Sequence, residues 1–242
     1  MHYEQLIYLV HDFHCCCPTV NFIYKNNYCG LNCADCPLAR KLERSWYPVW
    51  KKLFFKIDRV ICFSQSSKDI CLKFYPHIEN KIQIIPHSMD YCHFIHLENI
   101  SGNKIGVIGN CSNIAKGKNV IFRLVKYLNK ARNYTLVVVG RNPFLMNRQS
   151  ENFIVTGSYK LENLPEILIQ NQIGLIVFTS IWPETFSYAV SELMMLGIPI
   201  ISLKLGAQGE KLMNYSNAFF VDDLSPESII ECAEKVFKRD EK

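Results

Sequence analysis

The chain has 242 residues, 49% of them hydrophobic and 20% charged, which supports one large domain or two ordinary ones and excludes a disordered chain. Its formal net charge of +5 is mildly basic and suits anionic ligands such as phosphates or lipid headgroups. No basic run with interleaved aromatics is present, so nucleic acid is not an expected partner.

Residues 5–10 read as a buried strand, and 13–45 as an irregular, cysteine-rich stretch. Aromatics at helical spacing predict a helix over 47–57. A strand follows at 59–64, then a helix over 65–75 with serines at its start. Residues 81–90 are a strand running into a loop, and 91–103 a polar linker. From there the pattern is regular. Strands are expected at 104–110, 134–142, 151–157, 173–180, 198–203 and 217–223. Helices are expected at 117–131, 161–170, 185–196 and 226–238, the last opened by Ser225 and Pro226. The unbroken apolar run at 173–180 suits a parallel strand covered on both faces. Alternating strands and helices predict an open parallel α/β sheet, with ligands beyond the carboxyl ends of its strands.

Two of those strand ends carry candidate chemistry. "GNCSNIAKGKN" (109–119) joins a strand to a helix. Its glycines allow close backbone approach, the helix start offers N–H groups and Lys116 adds positive charge, so it is a candidate phosphate cradle. "SIWPETFSYAVSELMMLGIPII" (180–201) places Glu184 in a loop and Glu192 eight residues on, in the following helix. Pro183 suits the helix start, where the N–H groups of Thr185, Phe186 and Ser187 would lack helical partners. Apolar neighbours surround both carboxylates, which then need polar partners. One can hold sugar hydroxyls and the other a ribose diol.

This stretch resembles the P-E-x-F-G-x(4)-E-A-M-A-x-G-x-P-V-I signature of retaining GT-B glycosyltransferases (glycosyltransferase family 4, glycosyl transferases group 1 type). The likeness covers Glu184, Phe186, Glu192 and the turn at Gly197–Pro199. "GNCSNIAKG" is similar to the family's G-R-x(5)-K-G loop at the same spacing. "HDFHCCCP", "DRVICFSQSSKD" and "KIQIIPHSMD" look like the second half of the N-terminal domain of a bacterial subgroup.

The resemblance implies a GT-B fold of two Rossmann-like lobes: residues 1–98, with the cysteine-rich loop 15–36, forming a truncated acceptor-side lobe, and 99–242 the nucleotide-sugar-binding domain. It implies catalytic roles for Glu184, His11 and Lys116, and donor binding by Gly109, Asn110, Lys116, Phe186, Ser187 and Glu192. In that scheme Lys116 neutralises the donor diphosphate. Glu184 and the amides of Phe186 and Ser187 position the sugar, Glu192 holds the ribose and His11 lies near the transferred sugar. No cofactor is required for catalysis. The implied partners are a nucleotide-sugar donor and a glycan or lipid-linked acceptor.

Three departures stand out. The family's diphosphate arginine is Asn110, so Lys118 or Arg141 would have to substitute. Its glycine after Phe is Ser187, which crowds the sugar pocket. The first strands of the N-terminal lobe have no counterpart, so self-association or a second chain is expected to complete it.

Of eleven cysteines, six lie between residues 15 and 36. Neither a signal peptide nor an apolar run of about 18 residues is evident, so a cytoplasmic location is expected, and with it reduced thiols. Cys17, Cys29, Cys33 and Cys36 can form a four-thiolate structural zinc site; reduced thiols packed in a loop are the alternative. Cys29, Cys33 and Cys36 also have the C-x3-C-x2-C spacing of radical S-adenosylmethionine enzymes, a reading that requires a (βα) barrel. Cys62, Cys71, Cys92, Cys111 and Cys232 are expected to be packed singly. His87 reads as a loop histidine. The basic stretch 39–46 reads as a solvated helix face, with contact to the inner face of a membrane as the alternative. The expected function is retaining glycosyl transfer from a nucleotide sugar in polysaccharide or glycan synthesis, the alternative a donor-binding chain that is inactive or partner-dependent.

Overall fold

Short apolar segments pair in register to form two parallel sheets, in a computed structural model that describes residues 4–34, 36–97, 102–109, 112–131, 133–142, 144–145 and 150–239. The chain divides into two units. The first holds the residues up to Ser88 together with Trp182–Phe186 and Leu205–Glu210. The second holds Met89–Ile181, Ser187–Lys204 and the chain from Lys211. The boundary expected between residues 98 and 99 lies outside the described residues.

In the first unit β1 (Ile7–Leu9) is followed by a hairpin of β2 (Ile23–Tyr24) and β3 (Asn27–Tyr28). Its turn residues Lys25 and Asn26 have φ of +47° and +69°, the primed turn whose twist suits a two-residue hairpin. Helix α1 (Ala39–Lys41) runs through a π-helical turn, Leu42–Trp46, into α2 (Tyr47–Lys56). Lys81 Nζ donates to the carbonyls of Phe54 and Ile57 at 3.0 and 2.7 Å and so satisfies the end of α2. β4 (Arg59–Cys62) leads to α3 (Gln65–Phe74), where Ser64 Oγ accepts the Ser67 N–H, the cap the serines predict. β5 (Ile82–Ile84) is shorter than expected, and Pro86 beyond it has no N–H for a ladder.

The strand order is β1-β4-β5, all parallel, with Tyr8, Val60 and Ile82 in register on one face. That face joins a core with Phe54, Ile70, Cys71 and Tyr75. The expectation that residues 5–10 form a buried strand is corrected: β1 is an edge strand, and Ile7 and Leu9 are 42% and 43% exposed on the opposite face.

The second unit runs β6 (Lys104–Ile108), α4 (Lys118–Ala131), β7 (Leu136–Val139), β8 (Phe153–Val155), α5 (Leu164–Gln170), β9 (Ile173–Val177), α6 (Tyr188–Leu196) and β10 (Ile200–Leu203). Next comes α7 (Gly206–Leu212), a helix the sequence pattern does not announce, then β11 (Ala218–Val221) and α8 (Pro226–Phe237). All six strands are parallel in the order β11-β10-β9-β6-β7-β8. β7 and β9 are buried throughout, the reason their sequences are unbroken apolar runs. Alternate residues serve opposite faces. Leu136 and Val138 pack with Leu124, Leu128 and Ile229; Val137 and Val139 pack with Leu168, Leu193 and Leu196. Because β8 and β11 are edges, this sheet is open, which overturns the barrel required by the radical-enzyme reading.

Among the described residues, no helix is long and apolar enough to cross a membrane.

Candidate functional site

In the second unit the strand order reverses at β6. The chain builds β7 and β8 on one side, then crosses back to lay β9 on the other. Such a switch point opens a crevice beyond the carboxyl ends of the two central strands. Both candidate segments follow these strands. Gly109 ends β6 at φ +90° and donates its N–H to Val139 O at 3.0 Å. Asn110 and Cys111 lie outside the described residues.

The turn carrying Lys116 is held by its own backbone. Lys116 N–H donates to Asn113 Oδ1 at 2.8 Å, and Lys116 O accepts from Thr179 Oγ1 at 2.8 Å. Ala115 O accepts the Ile181 N–H at 2.9 Å. Gly117 has φ +90°, and a Cβ there would collide with Thr179. Hence the loop after β6 is fastened to the end of β9, and glycine at 117 is a steric requirement. Of the two proposed substitutes for arginine, Lys118 lies over the Phe144 ring, 3.7 Å from its centroid, and Arg141 is exposed just after β7.

Helix α6 starts at Tyr188, three residues later than expected. Its N-cap, Ser187, has φ +64° and ψ +79°, the left-handed region where a glycine fits freely and a serine is strained. The departure from the family's glycine is therefore felt first in the backbone. Ser187 is buried and its Oγ has no hydrogen-bond partner. Lys211 Nζ donates to Ser187 O at 3.3 Å and to Ser191 Oγ at 2.5 Å, which sets a cation beside the helix start.

Glu192 is half-buried in α6, where it accepts the phenol of Tyr91 at 2.8 Å. Burial pushes its carboxyl above the usual range, and the Tyr91 hydrogen bond pulls it part of the way back. Tyr91 also lines an open cavity of about 600 Å³ with Phe94, Leu97, Leu161 and Pro165. None of the predicted site residues lines that cavity.

In the first unit, the segment Trp182–Phe186 is organised by Gln208, which is fully buried. Gln208 accepts the Glu184 N–H at 2.9 Å and donates to Trp182 O at 2.7 Å, while Glu184 O accepts the Ala207 N–H at 2.9 Å. Glu184 and Phe186 are each 5% exposed. Thr185 Oγ1 donates to His11 O at 2.9 Å, and Thr185 O accepts from Ser67 Oγ at 3.3 Å. The His11 ring lies 5.0 Å from Phe63 and 5.8 Å from His87. His87 stacks on Phe63 at 3.8 Å and meets Phe186 edge-on at 5.1 Å. So His11, Glu184 and Phe186 do gather, and His87 joins them as more than a loop histidine. Gln208 and Tyr91 are not signalled by the sequence, and Thr185, named there for its N–H, acts through its hydroxyl and carbonyl. None stands in a spacing that signals a site, since each acts through a partner remote in sequence.

Of the cysteines, Cys17 is buried, and Cys29, Cys33 and Cys36 are partly exposed. Cys71, expected to pack singly, instead lies with Cys15 and Cys16, the three sulfurs within 4.8 Å of one another.

The profile of the family described as glycosyl transferases group 1 matches residues 93–242. No curated protein matches the chain by sequence. Among the solved structures that resemble it, three serve as examples. The Anabaena protein HepE, in complex with UDP and glucose, is 15% identical over 96% of this chain and 61% of its own, with a TM-score of 0.63. A glycosyltransferase from Rickettsia africae ESF-5 is 20% identical over 81% and 57%, with a TM-score of 0.61. Sucrose-phosphate synthase from Thermosynechococcus elongatus is 15% identical over 86% and 55%, with a TM-score of 0.61. The chain thus spans about three fifths of the HepE length and less of the other two. At these identities the likeness is one of fold, and that fold is the α/β GT-B type with parallel sheets.

Proposed function

The chain belongs to the glycosyl transferases group 1 family, and from that premise we propose that it transfers a sugar from a nucleotide-sugar donor to an acceptor hydroxyl, with retention of configuration, in polysaccharide or glycan synthesis. The observation that carries the reading is the switch point at β6 and β9. Lys116 sits on the turn after one strand, and Ser187 and Glu192 on the helix after the other. Departure of a diphosphate demands fixed positive charge and oriented donors, which a lysine and a helix start supply. In this reading Lys116 bears on the diphosphate, with Lys211 beside the start of α6 as a second cation. The Glu192 carboxylate accepts from the ribose hydroxyls. Glu184, with the amides of Phe186 and Ser187, orients the transferred sugar, and His11 takes a catalytic role. These residues need no metal for their roles.

A second reading is donor binding with turnover only when a partner chain is present. The exposed Ile7 and Leu9 on the sheet of the first unit favour it, because parallel sheets are ordinarily covered on both faces.

The test is thermal unfolding against UDP-, GDP- and ADP-sugars, on wild type, Glu192→Ala and Lys116→Met. A ligand at 100 times its dissociation constant adds about 2.7 kcal/mol, a visible shift. One base should stabilise the wild type and neither variant. Release of that nucleotide with an acceptor present then separates a competent enzyme from a partner-dependent one. No shift with any donor overturns the reading.

A further inference from the structure

The loop from Cys17 to Cys36 takes no part in the proposed transfer, yet it is built in detail. Its hairpin delivers Cys29 just after β3, and Cys33 and Cys36 share one turn, in which the Cys36 N–H donates to Cys33 O at 3.2 Å. Hydrogen-bonding groups converge on three of the sulfurs. Thr19 Oγ1 lies 3.3 Å from Cys17 Sγ, the Leu31 N–H donates to Cys29, and Tyr47 O–H donates to Cys33 Sγ at 3.9 Å. Lys73 Nζ donates to Leu31 O at 3.3 Å and bears electrostatically on Cys33. Cys29 and Cys33 each lie within electrostatic reach of the other three thiols of the set.

We propose that Cys17, Cys29, Cys33 and Cys36 bind one zinc ion in a closed four-thiolate structural site that staples the loop 17–36. Cys29 accepts from an amide and Cys33 from a phenol, the kind of outer donor that orients metal-ligating thiolates; burial holds both thiols above their usual range, so the bound metal supplies the drive to release their protons. Four thiolates around Zn²⁺ leave a net charge of −2, which Lys73 partly offsets. On binding, each thiol gives its proton to solvent and its sulfur lone pair to the metal. No three of the four sulfurs lie within 4.8 Å of one another, whereas about 3.8 Å is required around a tetrahedral zinc at about 2.3 Å. Binding therefore draws the loop inward. The backbone offers a reason for a staple: Val20, Phe22 and Leu31 all have φ of +58°, a costly conformation for bulky side chains.

The competing set is Cys15, Cys16 and Cys71. Those sulfurs are closer, with Cys15 and Cys16 3.5 Å apart, but they are fully buried among Phe13, Val60 and Ile70. Their hydrogen bonds run chiefly among themselves, with Cys62 and Tyr8 at the ends of the chain. Hydrogen bonds with Cys16 and Cys71 hold the Cys15 thiol well below its usual range, while burial pushes Cys16 well up and hydrogen bonding to its thiol neighbours pushes Cys71 well up, so three thiolates together would meet mutual repulsion and the cost of burial. They are packed thiols.

Elemental analysis of the purified full chain tests this, on wild type, Cys33→Ser, Cys36→Ser and Cys71→Ala. One zinc per chain in wild type and Cys71→Ala, and none in the two serine variants, is the expected result. Wild type without zinc, a brown iron-containing protein, or zinc kept by Cys33→Ser and lost from Cys71→Ala each overturns it. Should the serine variants fail to fold, Co²⁺ exchange into wild type decides. Intense visible bands of a tetrahedral four-sulfur site support the proposal, and the pale spectrum of six-coordinate Co²⁺ overturns it.

Discussion

Gln208 holds Glu184 through the backbone rather than the side chain: its Oε1 accepts the Glu184 N–H at 2.9 Å while its Nε2 donates to Trp182 O at 2.7 Å. One fully buried amide thus bridges both sides of the Trp182–Glu184 turn. Gln208→Leu keeps the volume and strands both backbone groups, each at a cost of about 1–3 kcal/mol. Urea unfolding should show a loss of about 2–6 kcal/mol for the two groups together, and donor turnover should fall further than stability alone explains, because Glu184 loses its fixed backbone.

Ser187 is strained where Gln208 is satisfied. A non-glycine residue in the left-handed region costs about 1–2 kcal/mol, and glycine would offset part of that relief through its greater chain entropy in the unfolded state. The serine also buries an unpartnered hydroxyl. Ser187→Gly should therefore stabilise the chain by about 0.5–1 kcal/mol, read as a rise in Tm. An unchanged or lowered Tm would mean that the hydroxyl has a compensating role.

At Gly117 the same argument runs in reverse. An alanine side chain there would have to accept φ +90° and displace Thr179, whose Oγ1 holds Lys116 O. Gly117→Ala should cost at least about 2 kcal/mol, from left-handed strain and overpacking together. Nucleotide-dependent stabilisation should disappear with it, since the Lys116 turn moves.

Glu192 gives a pH signature. Its folded-state pKa is raised, by burial first and despite the Tyr91 hydrogen bond. The folded chain therefore binds this proton more tightly than the unfolded chain. The stability it contributes is full below the unfolded pKa and is lost as pH rises through the folded one. Glu192→Gln should accordingly be more stable than wild type at neutral pH, with the difference closing in acid, while donor binding is lost. Tyr91→Phe removes the one pull downward, so the pKa rises further. Acidification should then abolish nucleotide binding at a higher pH than in wild type, as titration calorimetry across pH would show.

How much of this was written in the chain itself differs by element. The helices over 118–131 and 226–237 and the strands at 104–108 and 173–177 were legible because each carries its own period, cap or apolar run. So was the Glu184–Glu192 spacing, which is a property of a single loop and helix. β1 misled, because an apolar run reports hydrophobicity and not whether another layer covers it: Ile7 and Leu9 are exposed. The start of α6 misled too, because a serine in a left-handed conformation leaves no mark in composition.

What only the tertiary structure decided is which remote residues serve the site. Gln208, Tyr91, Thr179 and Thr185 are ordinary polar residues by sequence, and a hydrogen bond between residues 24 to 174 positions apart exists only once the sheets have closed on their helices. Local propensity set the elements, because capping and periodicity act within a few residues. Burial and long-range pairing set the site, because desolvation selects partners by distance in space and not along the chain.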